Sequence, residues 1–166
     1  MNQHLAFDFS VDRENNTIIV KREFDAGISL VWDAYTQKEI LDEWWAPKPW
    51  KSVTKSMNFV NGGTRIYAMV GPNGEEHWAF GNFDNIHKEK GFTVHDGFCD
   101  PDGNIMNDLP RSKWELTFSE IGERTLVEII IQYEQLSQLE AILQMGFKEG
   151  FAMALDNLDA LLPSLK

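Results

Sequence analysis

The C-terminal part of the sequence carries one long amphipathic pattern, which restricts the possible folds more than any other feature. Apolar and small residues recur every three to four positions, which predicts a helix of about 25 residues over 137–162. Ser137 and Glu140 form a capping-box pattern at its start, and Pro163 is expected to end it. Such a helix spans about 40 Å and cannot bury its apolar side alone, so it must lie across a sheet. The pattern consists of Leu139, Ile142, Leu143, Gly146, Phe147, Gly150, Phe151, Ala154, Leu155, Leu158, Leu161 and Leu162.

The residues before this helix alternate between apolar and polar side chains, which is typical of β-strands. Residues 17–24 are rich in β-branched residues with apolar positions two apart, and residues 112–133 contain two more alternating sets. Turn sequences at residues 61–63 and 71–74 predict hairpins between the intervening strands. Gly81 predicts a bulge or bend within an aromatic strand. Together these patterns predict a curved antiparallel sheet with one wetter face.

Two short helices are expected after the first strand. Residues 25–36 have apolar side chains at helical spacing, and Thr36 with Glu39 forms a capping-box pattern that would begin a second helix. That second helix cannot continue through Pro47 and Pro49, because each proline removes a backbone donor and fixes φ.

These elements predict one α+β domain over residues 1–166. A curved antiparallel sheet of about six to seven strands would surround the long C-terminal helix. Residues 1–14 are polar with scattered aromatic side chains, and we expect a loosely ordered arm there. The length allows one sizeable core, since a chain of roughly 150 residues buries about 70% of its unfolded surface.

The charge balance argues against several classes of partner. The 166 residues carry 15 basic and 26 acidic side chains, a formal net charge of −11. Nucleic acids and anionic membrane surfaces select clustered Lys and Arg, and the basic residues here are scattered. A lone Cys99 cannot form an internal disulfide, no segment is apolar enough for membrane insertion, and the first residues lack a signal-peptide pattern. We expect a cytoplasmic protein that is a monomer or a weak homodimer.

The sequence lacks the usual signatures of nucleotide, metal and nucleophilic sites. It has no Gly-x-Gly-x-x-Gly segment after a strand and no Gly-rich phosphate loop. Residues 100–111 resemble the start of a calcium loop but lack the required Gly and Glu. His87, His95, Asp96 and Cys99 are close in sequence without ligand spacing on one element. We therefore expect no metal, no cofactor and no catalytic set.

Aromatic content and the glycines of the predicted helix indicate either close packing or a cavity. The chain has six Trp, 11 Phe and six Met. Gly146 and Gly150 lie four residues apart, and each costs about 0.8–1.0 kcal/mol relative to Ala inside a helix. The glycines either let an aromatic strand approach the helix or leave space for a ligand. In the second case the ligand-binding residues are expected to be Trp45, Trp50, Tyr67, Met69, Trp78, Phe80, Trp114, Gly146, Phe147 and Gly150.

Three segments resemble a known family. Residues 67–86 look like its hairpin, with Pro-x-Gly followed by a Gly-x-aromatic strand, and residues 150–162 are similar to its closing helix. Gly27 and Ala46 replace the Pro and Gly that are usual at those positions. The most specific segment, residues 25–50, matches the family signature at Asp25, Ala26, Val31, Trp32, Ala34, Thr36, Trp44, Trp45 and Pro47.

The resemblance is to the activator of Hsp90 ATPase homologue 1-like family, within the START-like (SRPBCC, polyketide cyclase/CalC-like) superfamily. It implies the helix-grip fold, with an apolar cavity between the long helix and the sheet. It implies no shared catalytic residues, and functions on this fold range over lipid or polyketide binding, cyclisation and co-chaperone action.

Three hypotheses for the function follow. The first is non-enzymatic binding of a small hydrophobic or aromatic ligand in the cavity. The second is a protein-interaction module, a chaperone cofactor or stress-linked partner, whose acidity would suit a basic partner surface. The third is a cyclase-type or hydrolase-type enzyme that uses the same cavity, for which the acid and base would come from Arg65, His77, His87, His95 and Glu115.

Overall fold

The computed structural model describes residues 5–166, which form one eight-stranded sheet and four helices. The strands are β1 (Phe7–Asp12), β2 (Thr17–Phe24), β3 (Lys51–Met57), β4 (Thr64–Val70), β5 (Glu76–His87), β6 (Gly91–Phe98), β7 (Ser112–Ile121) and β8 (Arg124–Tyr133). The helices are α1 (Ile28–Thr36), α2 (Lys38–Trp44), α3 (Leu136–Gln144) and α4 (Phe147–Leu165).

The sheet contains one strand more than the six to seven expected. Its order is β1-β2-β8-β7-β6-β5-β4-β3, and all neighbouring strands are antiparallel. The additional strand is β1, which pairs with β2 along its whole length. The expectation of a loosely ordered arm over residues 1–14 is therefore wrong for this segment, because Phe9 and Val11 pack against the core. Residues 1–4 lie outside the described part of the chain.

One face of the sheet, here called the inner face, packs against α1, α2 and α4. Side chains alternate along each strand, so inner positions recur every second residue. The last helix, α4, contributes Phe151, Leu155 and Leu158 to the same core. This arrangement confirms the predicted α+β helix-grip fold. The buried inner-face residues include Ile18, Val20, Phe24, Leu116, Phe118, Val127, Ile129 and Ile131.

The two short helices α1 and α2 are confirmed, but neither predicted capping box forms. The residue that caps α2 is Gln37, and the Thr36 hydroxyl instead donates to the Trp32 carbonyl, 2.8 Å away within α1. The residue that caps α3 is Gln135, and neither Gln37 nor Gln135 makes a side-chain capping hydrogen bond to the first turn of its helix. The Ser137 hydroxyl lies 3.4 Å from the side-chain oxygen of Gln135.

The prediction of one continuous helix over residues 137–162 is wrong. The chain leaves the helical repeat after Gln144 and begins α4 at Phe147. The reason is Gly146, whose φ of 88° lies in the left-handed region that residues with a Cβ rarely adopt. The helix also continues past Pro163 and ends at Leu165.

The two glycines of this region are expected to respond oppositely to replacement by Ala. Gly146→Ala should lower the free energy of unfolding by about 1 kcal/mol, because its left-handed φ strains any residue with a Cβ. Gly150→Ala should raise it by roughly 0.5–1 kcal/mol, because Gly150 lies within α4 and its added Cβ would meet only Pro47 Cγ, at 3.6 Å. Chemical denaturation of both variants measures the difference. Equal changes in the free energy of unfolding would show that the left-handed backbone of Gly146 is not what distinguishes the two positions.

The turn predictions have a mixed outcome. Hairpins connect β3 to β4 and β4 to β5 around residues 61–63 and 71–74, as predicted. Of the bulge or bend predicted at Gly81, the bulge is wrong, because both neighbouring strands keep their register there. A Cβ on Gly81 would lie 2.8 Å from Val94 Cγ1, so glycine at this position lets the Val94 side chain pack over β5.

Candidate functional site

A cavity of about 260 Å³ lies between the sheet and the C-terminal helices. Its floor consists of inner-face residues of β4 to β8, and its roof comes from α3, α4 and the connection between them. Two of its lining residues, His77 and Met145, are exposed, so the cavity reaches the surface. Its lining residues are Trp45, Pro47, Tyr67, Met69, His77, Ala79, Asp96, Gly97, Phe98, Pro110, Ser112, Trp114, Tyr133, Ile142, Met145, Gly146, Phe147, Gly150 and Phe151.

Small residues on both sides create the space. No side chain projects from Gly146 or Gly150 on the roof, and a Cβ at Gly146 would meet no heavy atom within 4 Å. On the floor, Ala79 occupies the inner position of β5 between Tyr67 of β4 and Phe98 of β6. The glycines therefore border a cavity and do not let an aromatic strand approach the helix. A Cβ added at Gly150 would meet only Pro47 Cγ.

Aromatic rings form one wall of the cavity. The Trp114 ring centroid lies 5.9 Å from that of Trp45, 5.5 Å from Phe151 and 6.0 Å from Phe147. The Trp45 indole nitrogen donates to the Tyr67 hydroxyl, 3.1 Å away. The wall thus joins α2, β4, β7 and α4, and its tilted and edge-to-face contacts resist collapse into the cavity.

A buried ion pair supports the Tyr67 side of the floor. The Arg65 guanidinium lies 3.9 Å above the Tyr67 ring and 3.4 Å from the Asp42 carboxylate. Asp42 also accepts hydrogen bonds from Ser52 and Thr54, which fixes α2 against β3. Burial lowers the pKa of Arg65 and raises the pKa of Tyr67.

Asp96 places a carboxyl group in this apolar site. It accepts a hydrogen bond from the Ser112 hydroxyl, which in turn accepts one from the Trp114 indole nitrogen at 3.0 Å. Burial raises the pKa of Asp96 to about 7, with the Ser112 hydrogen bond acting in the opposite direction. Burial, followed by the negative charge of Asp96, raises the pKa of Tyr133. The cavity therefore contains an acid that changes protonation near neutral pH.

A second cavity of about 50 Å³ lies deeper in the protein. It reaches Tyr35 and Leu41 on one side and Phe92 and Leu116 on the other. The two cavities share a boundary, which is formed by Trp45, Tyr67, Asp96 and Trp114.

Seven of the ten residues predicted to bind a ligand line the larger cavity, and three do not. The Trp50 ring packs against His77 and lines a separate surface groove. Trp78 and Phe80 occupy the outer face of β5, where Phe80 pairs with Gly97 and borders only the deeper cavity. The seven that line the larger cavity are Trp45, Tyr67, Met69, Trp114, Gly146, Phe147 and Gly150.

The sequence analysis considered Asp96 only as a metal ligand and did not predict that it lines the cavity, although a signal for this existed. Phe92, Val94, Asp96 and Phe98 alternate along β6, and three of these four are apolar. That pattern places Asp96 on the apolar face of its strand. His77 was named only as a candidate acid or base, and the lining residues that were not predicted at all are Pro47, Ala79, Gly97, Phe98, Pro110, Ser112, Tyr133, Ile142, Met145 and Phe151.

The candidate acids and bases are scattered. His87, His95 and Glu115 are exposed, and Glu115 pairs with Lys113 at 3.2 Å. His77 lines the cavity, and Arg65 forms an ion pair with Asp42. Within residues 5–166, no three His, Cys, Asp or Glu side chains are grouped in a way that could hold a metal ion.

Sequence comparison identifies the family. A family model described as "Activator of Hsp90 ATPase homolog 1-like protein" matches residues 25–163. The chain belongs to this family. The matched region begins with the signature segment and ends in α4, so it includes every residue that lines the cavity. No curated protein shows significant sequence similarity to the chain.

Solved structures share the fold of this family member. A protein from Arthrobacter aurescens superposes with a TM-score of 0.89 at 27% identity, covering 95% of this chain and 91% of that one. A Mycobacterium smegmatis protein gives 0.88 at 26% identity, covering 98% and 100%. CalU16 from Micromonospora echinospora gives 0.63 at 21% identity, covering 96% and 87%, and shows the fold alone. Across residues 5–166, the helices are too short or too polar to cross a membrane.

Proposed function

We propose that the protein binds a small hydrophobic or aromatic ligand, without catalysis, in the 260 Å³ cavity between the sheet and helices α3 and α4. The observation that carries this proposal is the cavity itself. Protein interiors are close-packed, and voids larger than a water molecule are few. A space of this size beneath a roof of two glycines is therefore unusual for a packed core.

Size and chemistry support a ligand of one or two rings. An apolar cavity of about 150 Å³ accommodates benzene, and this cavity is larger. Trp45, Trp114, Phe147 and Phe151 supply apolar surface, while Asp96 supplies a polar group. Ligand sites commonly combine such a lining with a small number of polar groups that fix orientation.

A variant that fills the cavity tests the proposal. Ala79→Leu adds three carbons on the inner face of β5, so we expect ethylnaphthalene to bind at least tenfold more weakly than to the unmodified protein. Calorimetric titration and chemical-shift changes of the lining residues measure the affinity.

The matched control is Ala160→Leu, the same change at an exposed position of α4 that does not line this cavity. It should bind ethylnaphthalene as the unmodified protein does. Equal affinity of Ala79→Leu and the unmodified protein would place the binding elsewhere, and a failure of ethylnaphthalene and related aromatic probes to bind would exclude the proposed function.

A further inference from the structure

Asp96 carries the one carboxylic acid among the residues that line the two cavities. It lies in the transverse row Gly81–Asp96–Ser112–Tyr133, in which each residue is the register partner of the next. Along β6 its inner-face neighbours are Val94 and Phe98. Isolated carboxylates are expensive to bury in such surroundings. The fold nevertheless places this one on the boundary between the two cavities.

The hydrogen bonds around Asp96 run in one direction. The Trp114 indole nitrogen donates to the Ser112 hydroxyl, and that hydroxyl donates to Asp96 Oδ1. A chain of donors that ends on a carboxyl oxygen stabilises the ionised form. The backbone N–H groups of Ser112 and Asp96 stabilise the same form, but within residues 5–166 no cationic side chain forms an ion pair with Asp96.

The nearby cation does not neutralise Asp96. Arg65 lies on the opposite side of Gly81 in the same row, and its guanidinium is held by Asp42, Ser52 and the Tyr67 ring. A charge brought in by a ligand would therefore complete a pair that the described residues leave open. Burial raises the pKa of Asp96 to about 7, as expected for a buried carboxyl group without a cationic partner.

Aromatic rings surround the same position. The Trp45, Trp114 and Tyr67 rings border both cavities together with Asp96. A cation near the faces of such rings is attracted by their quadrupoles, most strongly when it is desolvated. A carboxylate beside Trp and Tyr rings is the combination that recognises an organic ammonium group.

We infer that the ligand of this cavity carries a protonated amine on an apolar or aromatic body, and that Asp96 pairs with the ammonium group. This inference rests on the proposed function, because it concerns the same cavity. It adds the chemical class of the ligand and identifies the residue that selects it. The aromatic wall binds the body of the ligand, and the carboxylate with the Trp and Tyr rings binds the charged end.

The test compares probes of matched shape. Naphthylmethylamine carries an ammonium group at the position where ethylnaphthalene carries a methyl group. We expect the amine to bind about tenfold more tightly at about pH 8. Asp96→Asn keeps the size of the side chain and removes its charge. This variant should lose the preference for the amine but still bind ethylnaphthalene, which also shows that it is folded.

The pH dependence provides a second readout. Below the pKa of Asp96, about 7, the carboxyl is protonated and no longer attracts the ammonium, whereas an alkylamine stays charged. Affinity for naphthylmethylamine should fall roughly tenfold between about pH 8 and about pH 6, and affinity for ethylnaphthalene should stay constant.

Other titratable groups also line the two cavities, so the pH response needs a control variant. They are Tyr35 on α1, Arg65 and Tyr67 on β4, His77 on β5 and Tyr133 on β8, while the lining residues of α3 and α4 carry no charge. Burial raises the pKa of all three tyrosines and keeps them neutral over this range. His77 is the one histidine of the lining, and His77→Gln should keep the pH response if Asp96 is its source.

The possible outcomes separate the two proposals. If no naphthalene probe binds, the proposed function fails. If ethylnaphthalene binds as tightly as the amine, or Asp96→Asn leaves the preference unchanged, the cavity is a ligand site but the inference about amines is wrong. Tighter binding of acetylnaphthalene at about pH 6 would also overturn it, because Asp96 would then act as a donor to a carbonyl group.

Discussion

Replacing Asp42 with Ala is expected to lower the free energy of unfolding by about 3 kcal/mol. Removing this carboxylate leaves the Arg65 guanidinium, whose side chain is only 5% exposed, without its ionic partner. The change also removes the acceptor for Ser52 and for the backbone and hydroxyl of Thr54. Leaving a buried charge and donors unpaired costs more than the intact pair contributes.

Chemical denaturation of matched variants tests this expectation. Glu43→Ala makes a comparable change at the next residue of α2, where the side chain is exposed, and should change stability by less than about 0.5 kcal/mol. The double variant Asp42→Ala with Arg65→Met should recover part of the loss, because it removes the unpaired charge. A double variant less stable than Asp42→Ala would show that Arg65 stabilises the fold independently of Asp42.

Replacing Trp44 with Ala is expected to cost about 3–5 kcal/mol. The Trp44 side chain is fully buried, and its indole nitrogen donates to the Ala34 carbonyl at 3.0 Å, which joins α2 to α1. Its ring centroid lies 4.9 Å from Tyr35 and 5.2 Å from Trp45. The substitution therefore creates a core cavity and removes the support behind the aromatic wall of the site.

Trp78→Ala provides the control for this change. Trp78 is half-buried on the outer face of β5, and its indole nitrogen donates to the exposed Glu76 carboxylate. The same truncation should cost roughly 1 kcal/mol or less there. Thermal and chemical unfolding of the two variants measure the contrast. A similar loss for both would mean that the outer face contributes as much to stability as the core does.

Trp78 and Phe80 were predicted to line the cavity because the sequence does not show which alternate positions of β5 face the helices. In β5 the aromatic residues Trp78 and Phe80 are even-numbered and Phe83 is odd-numbered, so the strand itself does not reveal which parity faces the helix. The register places the odd positions inside, since Ala79 and Gly81 face Tyr67 and Arg65 across β4. The large aromatic residues of this strand were therefore the wrong choice, and the small ones matter because they leave room.

The prediction of one continuous helix over residues 137–162 was wrong for a related reason. The apolar spacing continues through Gly146, so the sequence pattern alone gives no reason to end the helix there. Only the backbone shows that Gly146 adopts a φ of 88° and starts a second helix. The glycine that was expected inside a helix instead turns the chain over the cavity.

The sequence by itself determined the alternation of the strands, the two short helices and the apolar side of α4, because these depend on spacing between near neighbours. The family followed from the resemblance of three segments to known motifs. Only the tertiary structure decided that the interior is incompletely filled and that Asp96 meets Ser112 and Trp114 there. An unfilled volume depends on the separation of elements distant in the chain, and on which side chains are missing from both surfaces. No local spacing contains that information.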